Sequence, residues 1–169
     1  MPKLQLLSAA LVTALGLLAG LAQAGVLRGT SRPMHFLQEG GQVTVPLDVE
    51  GKTAIYFHTT ETWSTVIVSF TAECSIDGAS GTANEARVNL DIKVDGNILS
   101  PTNGGSDTFC SSNPSEALDG HAMAAINVLA KLPAGRHKLQ IIARAITIAT
   151  GELGSNTFEL NAMSLIVHD

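Results

Sequence analysis

The sequence predicts an all-β protein, an antiparallel β-sandwich of about eight or nine strands. Two observations carry that prediction. Apolar residues recur at every second position wherever a pattern is clear, and clusters of Gly, Pro, Asn and Asp interrupt those runs. An alternation of two is the signature of strands with one face buried. Strands joined by turn chemistry, with no helical stripe between them, leave two packed sheets or a barrel as the way to hide the apolar faces.

The first 24 residues stand apart from this pattern. Lys3 supplies a basic start, residues 4–21 carry no charge and are mostly Leu, Ala and Val, and Ala22-Gln23-Ala24 places small residues where a signal peptidase cuts. These are the three parts of an export signal, with cleavage expected between Ala24 and Gly25. The alternative, an uncleaved anchor, suits the length of the apolar run but not its small-residue ending. Domain organisation is therefore read as a signal peptide over 1–24 and a single β-sandwich domain over 25–169, with localisation secreted or periplasmic.

Taken in order, residues 29–33 look like a loose lead-in. A short strand is expected around Met34 to Leu37. Val43, Val45, Leu47 and Val49 alternate with polar residues, and Pro46 assigns that strand to an edge or bulge. Ile55 and Phe57 begin another. Val66, Val68, Phe70, Ala72 and Cys74 share one face of the next, so Cys74 is expected to point inward. Val88, Leu90, Ile92 and Val94 form the cleanest alternation, followed by Asp95-Gly96 or Gly96-Asn97, either of which suits a tight hairpin turn. Ile98 and Leu99 start a short return strand. Residues 100–120 are polar and irregular, interrupted by Phe109-Cys110. Residues 121–132 alternate fully, which favours strand although their alanines would suit a helix. Leu132-Pro133-Ala134-Gly135 reads as a turn. A further strand covers residues 136–148, with Leu139, Ile141 and Ala143 on one face and Ile142, Ile146 and Ile148 on the other. Residues 158–167 close the domain.

Composition excludes some partners. Ten Lys and Arg stand against fifteen Asp and Glu, a net charge of −5, and loss of Lys3 with the leader makes the balance more negative. Nucleic acid is not expected, because phosphates call for a basic stripe. No polybasic segment offers itself to an anionic membrane, and no stable span remains after cleavage. Cys74 and Cys110 are an even pair in a chain bound for an oxidising compartment, which reads as a disulfide. The alternatives are two buried thiols or a zinc site, and the latter lacks the paired Cys or His spacing.

Several stretches resemble uncharacterised bacterial secreted proteins: Val68-Ser-Phe-Thr-Ala-Glu-Cys74, Asp91-Ile-Lys-Val-Asp-Gly96, Leu99-Ser-Pro-Thr102, Asp107-Thr-Phe-Cys110 and Leu132-Pro-Ala-Gly-Arg-His-Lys-Leu139. The last is also similar to a turn and strand of jelly-roll modules, including tumour-necrosis-factor-like and phage-fibre-like heads. The resemblance spans most of residues 65–167. It implies a jelly-roll sandwich with this disulfide and brings no catalytic residues.

Residues able to carry chemistry are scattered. His35, His58, His121, His137 and His168 show no metal-ligand spacing and read as surface or turn residues. Ser80 lacks the context of a nucleophile elbow. Glu61, Glu73, Asp91, Asp107, Glu116 and Asp119 include no recognisable pair, and Asp91 is expected on a solvated strand face. Asp95 to Asn97 and Asn103 to Asp107 carry oxygens that suit calcium or, more simply, turns. No cofactor or metal site is assigned. Trp63 is the only Trp and sits among threonines; exposed, it would be a stacking platform, buried, an anchor.

These features point to a secreted, non-enzymatic binding or structural module. Its ligand would be an extracellular protein or carbohydrate, and Trp63, Asn103 and Asp107 are the candidate contacts. A carbohydrate-binding module is the alternative, and a small secreted hydrolase comes behind it. Self-association through Ile142, Ile146 and Ile148 is also an expectation.

Overall fold

A computed structural model describes residues 25–32, 36–76, 86–99, 108–112, 122–147, 152–154 and 156–169. The leader and its cleavage junction at Ala24 lie outside them. The described residues form nine strands and no helix: β1 (Val26–Arg32), β2 (Phe36–Glu39), β3 (Gln42–Thr44), β4 (Ile55–Ile76), β5 (Ala86–Val94), β6 (Asn97–Ile98), β7 (Thr108–Ser111), β8 (Ala122–Thr147) and β9 (Thr157–His168). Every pairing is antiparallel.

The two apolar layers belong to one hydrogen-bonded network rather than two separate sheets. β4 has 22 residues and β8 has 26. A straight strand of 26 residues would extend about 85 Å, far beyond one layer of a small domain, so these strands must bend. They pair with each other from Ile55↔Leu139 to Cys74↔Ala122 and bend together. On one side of the bend, residues 67–76 of β4 pair with β9, which pairs in turn with β1 and β2. On the other side, residues 139–147 of β8 lie between β5 on one edge and β3 on the other.

Folding the network on itself brings the inner faces together. Val66, Val68, Phe70, Ala72 and Ile76 of β4 join Val88, Leu90 and Ile92 of β5, Leu139 and Ile141 of β8, and Phe158, Leu160 and Leu165 of β9 in one core. Phe70 of β4 meets Phe109 of β7 with ring centroids 5.7 Å apart. Beside them Cys74 and Cys110 form the expected disulfide, with a Cα separation of 6.1 Å. The staple ties β4 to β7 where the layers face each other.

Several elements differ from expectation. The strands read separately from Ile55 and over Val66 to Cys74 are one, β4, and the strand read over Val43 to Val49 is only Gln42–Thr44. Residues 29–32, read as a lead-in, belong to β1, whose backbone pairs with β9 from Val26↔His168 to Arg32↔Met163. Residues 132–135, read as a turn, are the bend inside β8 and reverse nothing, because β4 runs alongside and takes the same kink. The register passes from Thr59↔Gly135 to Trp63↔Pro133, so Thr60, Glu61 and Thr62 bulge out opposite Ala134. Gly135 has φ +145°, a conformation that L side chains rarely adopt. The hairpin at residues 95–96 is as expected, with φ +51° at Asp95 and +83° at Gly96, as a primed two-residue turn requires.

Candidate functional site

The bend gathers polar chemistry on its inside and aromatic and basic side chains on its outside. The inward parity of β4 is odd before the bulge (Ile55, Phe57, Thr59) and even after it (Ser64, Val66, Val68), so Thr59 and His137 point inward where the layers separate. His137 is 3% exposed, and its ring lies 5.3 Å from that of Phe57. It is not the surface histidine its place beside Pro133-Ala134-Gly135 suggested.

Each nitrogen of His137 has a partner. Nδ1 lies 2.7 Å from Asp95 Oδ2, and Nε2 lies 2.9 Å from the Pro133 carbonyl and 3.0 Å from Thr59 Oγ1. The Thr59 hydroxyl donates to the same carbonyl at 2.5 Å. A carboxylate only accepts, so the hydrogen of this contact is on Nδ1. Asp95 also accepts from the Lys138 amide through Oδ1 at 2.8 Å, while its own N–H donates to the Lys138 carbonyl. Partial burial works to raise the Asp95 carboxyl. The His137 hydrogen bond, the Lys138 amide and the His137 charge outweigh that and hold it below its ordinary value.

Carboxylate, imidazole and hydroxyl in a row have the composition of a nucleophilic triad, but the geometry is that of a brace. Thr59 is 1% exposed, and its proton is already given to Pro133. A nucleophile must reach its substrate, and its hydroxyl proton must be available to the base. The array instead cross-links β4, β8 and the β5–β6 turn. Asp95, one of the loop oxygens considered for calcium, is engaged in it. Among the described residues no three His, Cys, Asp or Glu side chains gather as a metal site.

The outside of the ribbon is different in character. Tyr56 stands opposite Lys138 and His58 opposite Arg136, and all four are exposed. The Arg136 guanidinium carbon lies 3.9 Å from the centre of the Tyr56 ring. Past the bulge, Trp63 is 59% exposed, with Lys131 Nζ 5.8 Å from its ring centre. Both are cation–π contacts, which hold a cation over an aromatic face while leaving it accessible to solvent.

A second polar cluster lies on the outward face of β5 and β8. Arg144 pairs with Asp91 and donates from Nε to Gln42 Oε1 at 2.7 Å. Asp91 is 7% exposed, so the solvated role expected for it is corrected. Its neighbours Arg87 Nε and Asn89 Oδ1 are buried without a hydrogen-bond partner among the described residues. Ile142 and Ile146 on this face are also buried. They therefore do not form the exposed apolar stripe that self-association through Ile142, Ile146 and Ile148 required; Ile148 lies outside the described residues.

Of the residues singled out from the sequence, Cys74 and Cys110 are joined by the disulfide, and Asp95 and His137 meet in the brace. Trp63 is placed on the outer surface. Gly25 is described, and its N–H donates to Asp169 Oδ1 at 3.0 Å. Asn103, Asp107, Ser80, His35, His121, Glu116 and Asp119 lie outside the described residues. The Asp95–His137–Thr59 brace was missed. Its only local signal is an aspartate that the hairpin turn requires, and its partners come from other strands. No model of a known protein family matches the chain, and no curated protein matches it.

Proposed function

We propose that this domain is an exported, non-enzymatic binding module whose working surface is the outer face of the bent β4–β8 ribbon, and that its ligand is a carbohydrate. The observation that carries the reading is Trp63, the only Trp of the chain, held outward at 59% exposure beside the bulge. An exposed indole offers a flat apolar face, and sugar rings stack their C–H faces on such a platform. Tyr56, also outward, extends the aromatic surface on the same ribbon. The disulfide suits an oxidising compartment, and no helix among the described residues is long and apolar enough to cross a membrane. The non-enzymatic part of the reading is supported by the inaccessible Thr59 hydroxyl.

The test is a glycan array with the protein lacking residues 1–24, followed by titration calorimetry on any hit. Saccharide binding that Trp63→Ala reduces about tenfold or more is the expected result. An array without hits, or equal binding by Trp63→Ala, would refute the reading.

A further inference from the structure

The outer ribbon carries more positive charge than the composition leads one to expect. The chain as a whole is acidic, at −5. Yet Lys131, Arg136 and Lys138 are all exposed on β8, and Lys93 of β5 stands opposite Gln140 of the same strand. Among the described residues none of these four cations forms an ion pair with a carboxylate. Acids on this face are Asp95, which is engaged by His137 and the Lys138 amide, Asp91, which is paired with Arg144, and Glu61, exposed on the bulge.

The face of Tyr56 is already occupied by the Arg136 guanidinium at 3.9 Å. A neutral sugar would have to displace that cation to stack there. An anionic group would not: a guanidinium held over a ring on an exposed strand still has N–H donors to offer, and a carboxylate or sulfate can be received there by two parallel hydrogen bonds. The Tyr56 contact fixes the guanidinium in advance, which lowers the ordering cost of binding.

We infer that the ligand is an acidic polysaccharide, one bearing carboxylate or sulfate groups, with its sugar ring on Trp63 and its anionic groups on Arg136 and Lys138. This rests on the carbohydrate-binding reading above and narrows its ligand class. Cross-strand pairing puts Lys138 beside Tyr56, so the two cations flank a single aromatic residue. Lys93 and Lys131 extend the positive field to either side.

The test is calorimetric titration with an oligogalacturonate, a chondroitin sulfate oligosaccharide, a neutral β-glucan oligosaccharide and single-stranded DNA, each of similar length. The uronate or sulfate sugar is expected to bind at least about tenfold more tightly than the neutral one. It is also expected to weaken as salt rises from about 0.05 M to about 0.5 M. The double substitution Arg136→Gln with Lys138→Gln should lower acidic-sugar affinity by about tenfold or more, with an unchanged melting temperature. Neutral and acidic sugars binding alike, or the double variant binding as the parent does, would overturn this inference and leave the carbohydrate reading standing. DNA binding as tightly as the acidic sugars would also overturn it, in favour of unselective polyanion attraction. Failure of every saccharide to bind would remove both readings together.

Discussion

The brace at the bend makes a quantitative prediction about the pair Asp95 and His137. The perturbation is a double-mutant cycle of Asp95→Asn, His137→Ala and the two combined. Asn at position 95 tolerates the left-handed backbone of the turn and keeps an acceptor for the Lys138 amide, so it removes chiefly the negative charge facing His137. A charge-assisted hydrogen bond of 2.7 Å would contribute about 1.5–3 kcal/mol if fully buried. The Asp95 side chain is 43% exposed, however, and solvent screening brings the expected coupling down to about 1–2 kcal/mol. His137→Ala alone should cost more, about 2–4 kcal/mol, because it also removes the ring packed against Phe57. Thr59 and Pro133 keep their mutual bond in that variant, so no buried hydroxyl is left unpaired. Urea unfolding of the four proteins at pH 7 measures the coupling.

The same pair sets a pH dependence. The Asp95 carboxyl is held below its ordinary value in the folded state, so its contribution is complete above the unfolded value. It is lost as pH falls below about 4. The advantage of the parent over Asp95→Asn should accordingly be flat between about pH 5 and pH 7 and decay below about pH 4. The decay should be smaller when both proteins also carry His137→Ala. A coupling below about 0.5 kcal/mol at pH 7, or a flat difference down to about pH 2, would refute the brace as an energetic element.

Three further outcomes are expected. Removing the disulfide by Cys74→Ser with Cys110→Ser should cost about 4 kcal/mol on chain-entropy grounds for a separation of 36 residues, read as a lower urea midpoint; a loss under about 1 kcal/mol would mean the layers hold without the staple. Gly135→Ala should destabilise by about 1–3 kcal/mol through backbone strain, since the added methyl would meet nothing within 4 Å; a variant as stable as the parent would show that the bend does not depend on this glycine. Phe70→Ala should cost about 3–5 kcal/mol in a thermal melt, whereas Tyr56→Ala should stay within about 0.5 kcal/mol, and similar losses for both would contradict the assignment of inner and outer faces.

How much of the molecule could be read in advance depended on whether the signal was local. The alternation over Val88, Leu90, Ile92 and Val94 placed all four in the core, and the Asp95-Gly96 turn followed from backbone conformations that these residues tolerate. The inward face of Cys74 followed from its even spacing with Val66, Val68, Phe70 and Ala72. Bulges were not legible, and they decide more than their size suggests. At Ala162, with φ +47°, the inward positions of β9 change from Phe158 and Leu160 to Met163, Leu165 and Val167. At residues 59–63 the same exchange turns Trp63 outward. In β9 one extra residue inverts every side chain beyond it, at residues 59–63 three residues oppose one, and nothing in the periodicity on either side announces where the slip occurs.

The amino-acid sequence by itself determined that the chain is all-β, which faces of its strands are apolar, where its tightest hairpin lies, and that two cysteines are available to staple it. Those are properties of neighbouring residues: side-chain branching, spacing of two, and tolerance of positive φ. Only the tertiary structure decided that Pro133 to Gly135 bends a strand rather than ending it, that His137 is buried against Asp95 and Thr59, and that Trp63 and Arg136 share the outside of one ribbon. Each of these depends on which distant strand lies alongside, and strand pairing is settled by the burial of the whole core rather than by any short stretch of chain.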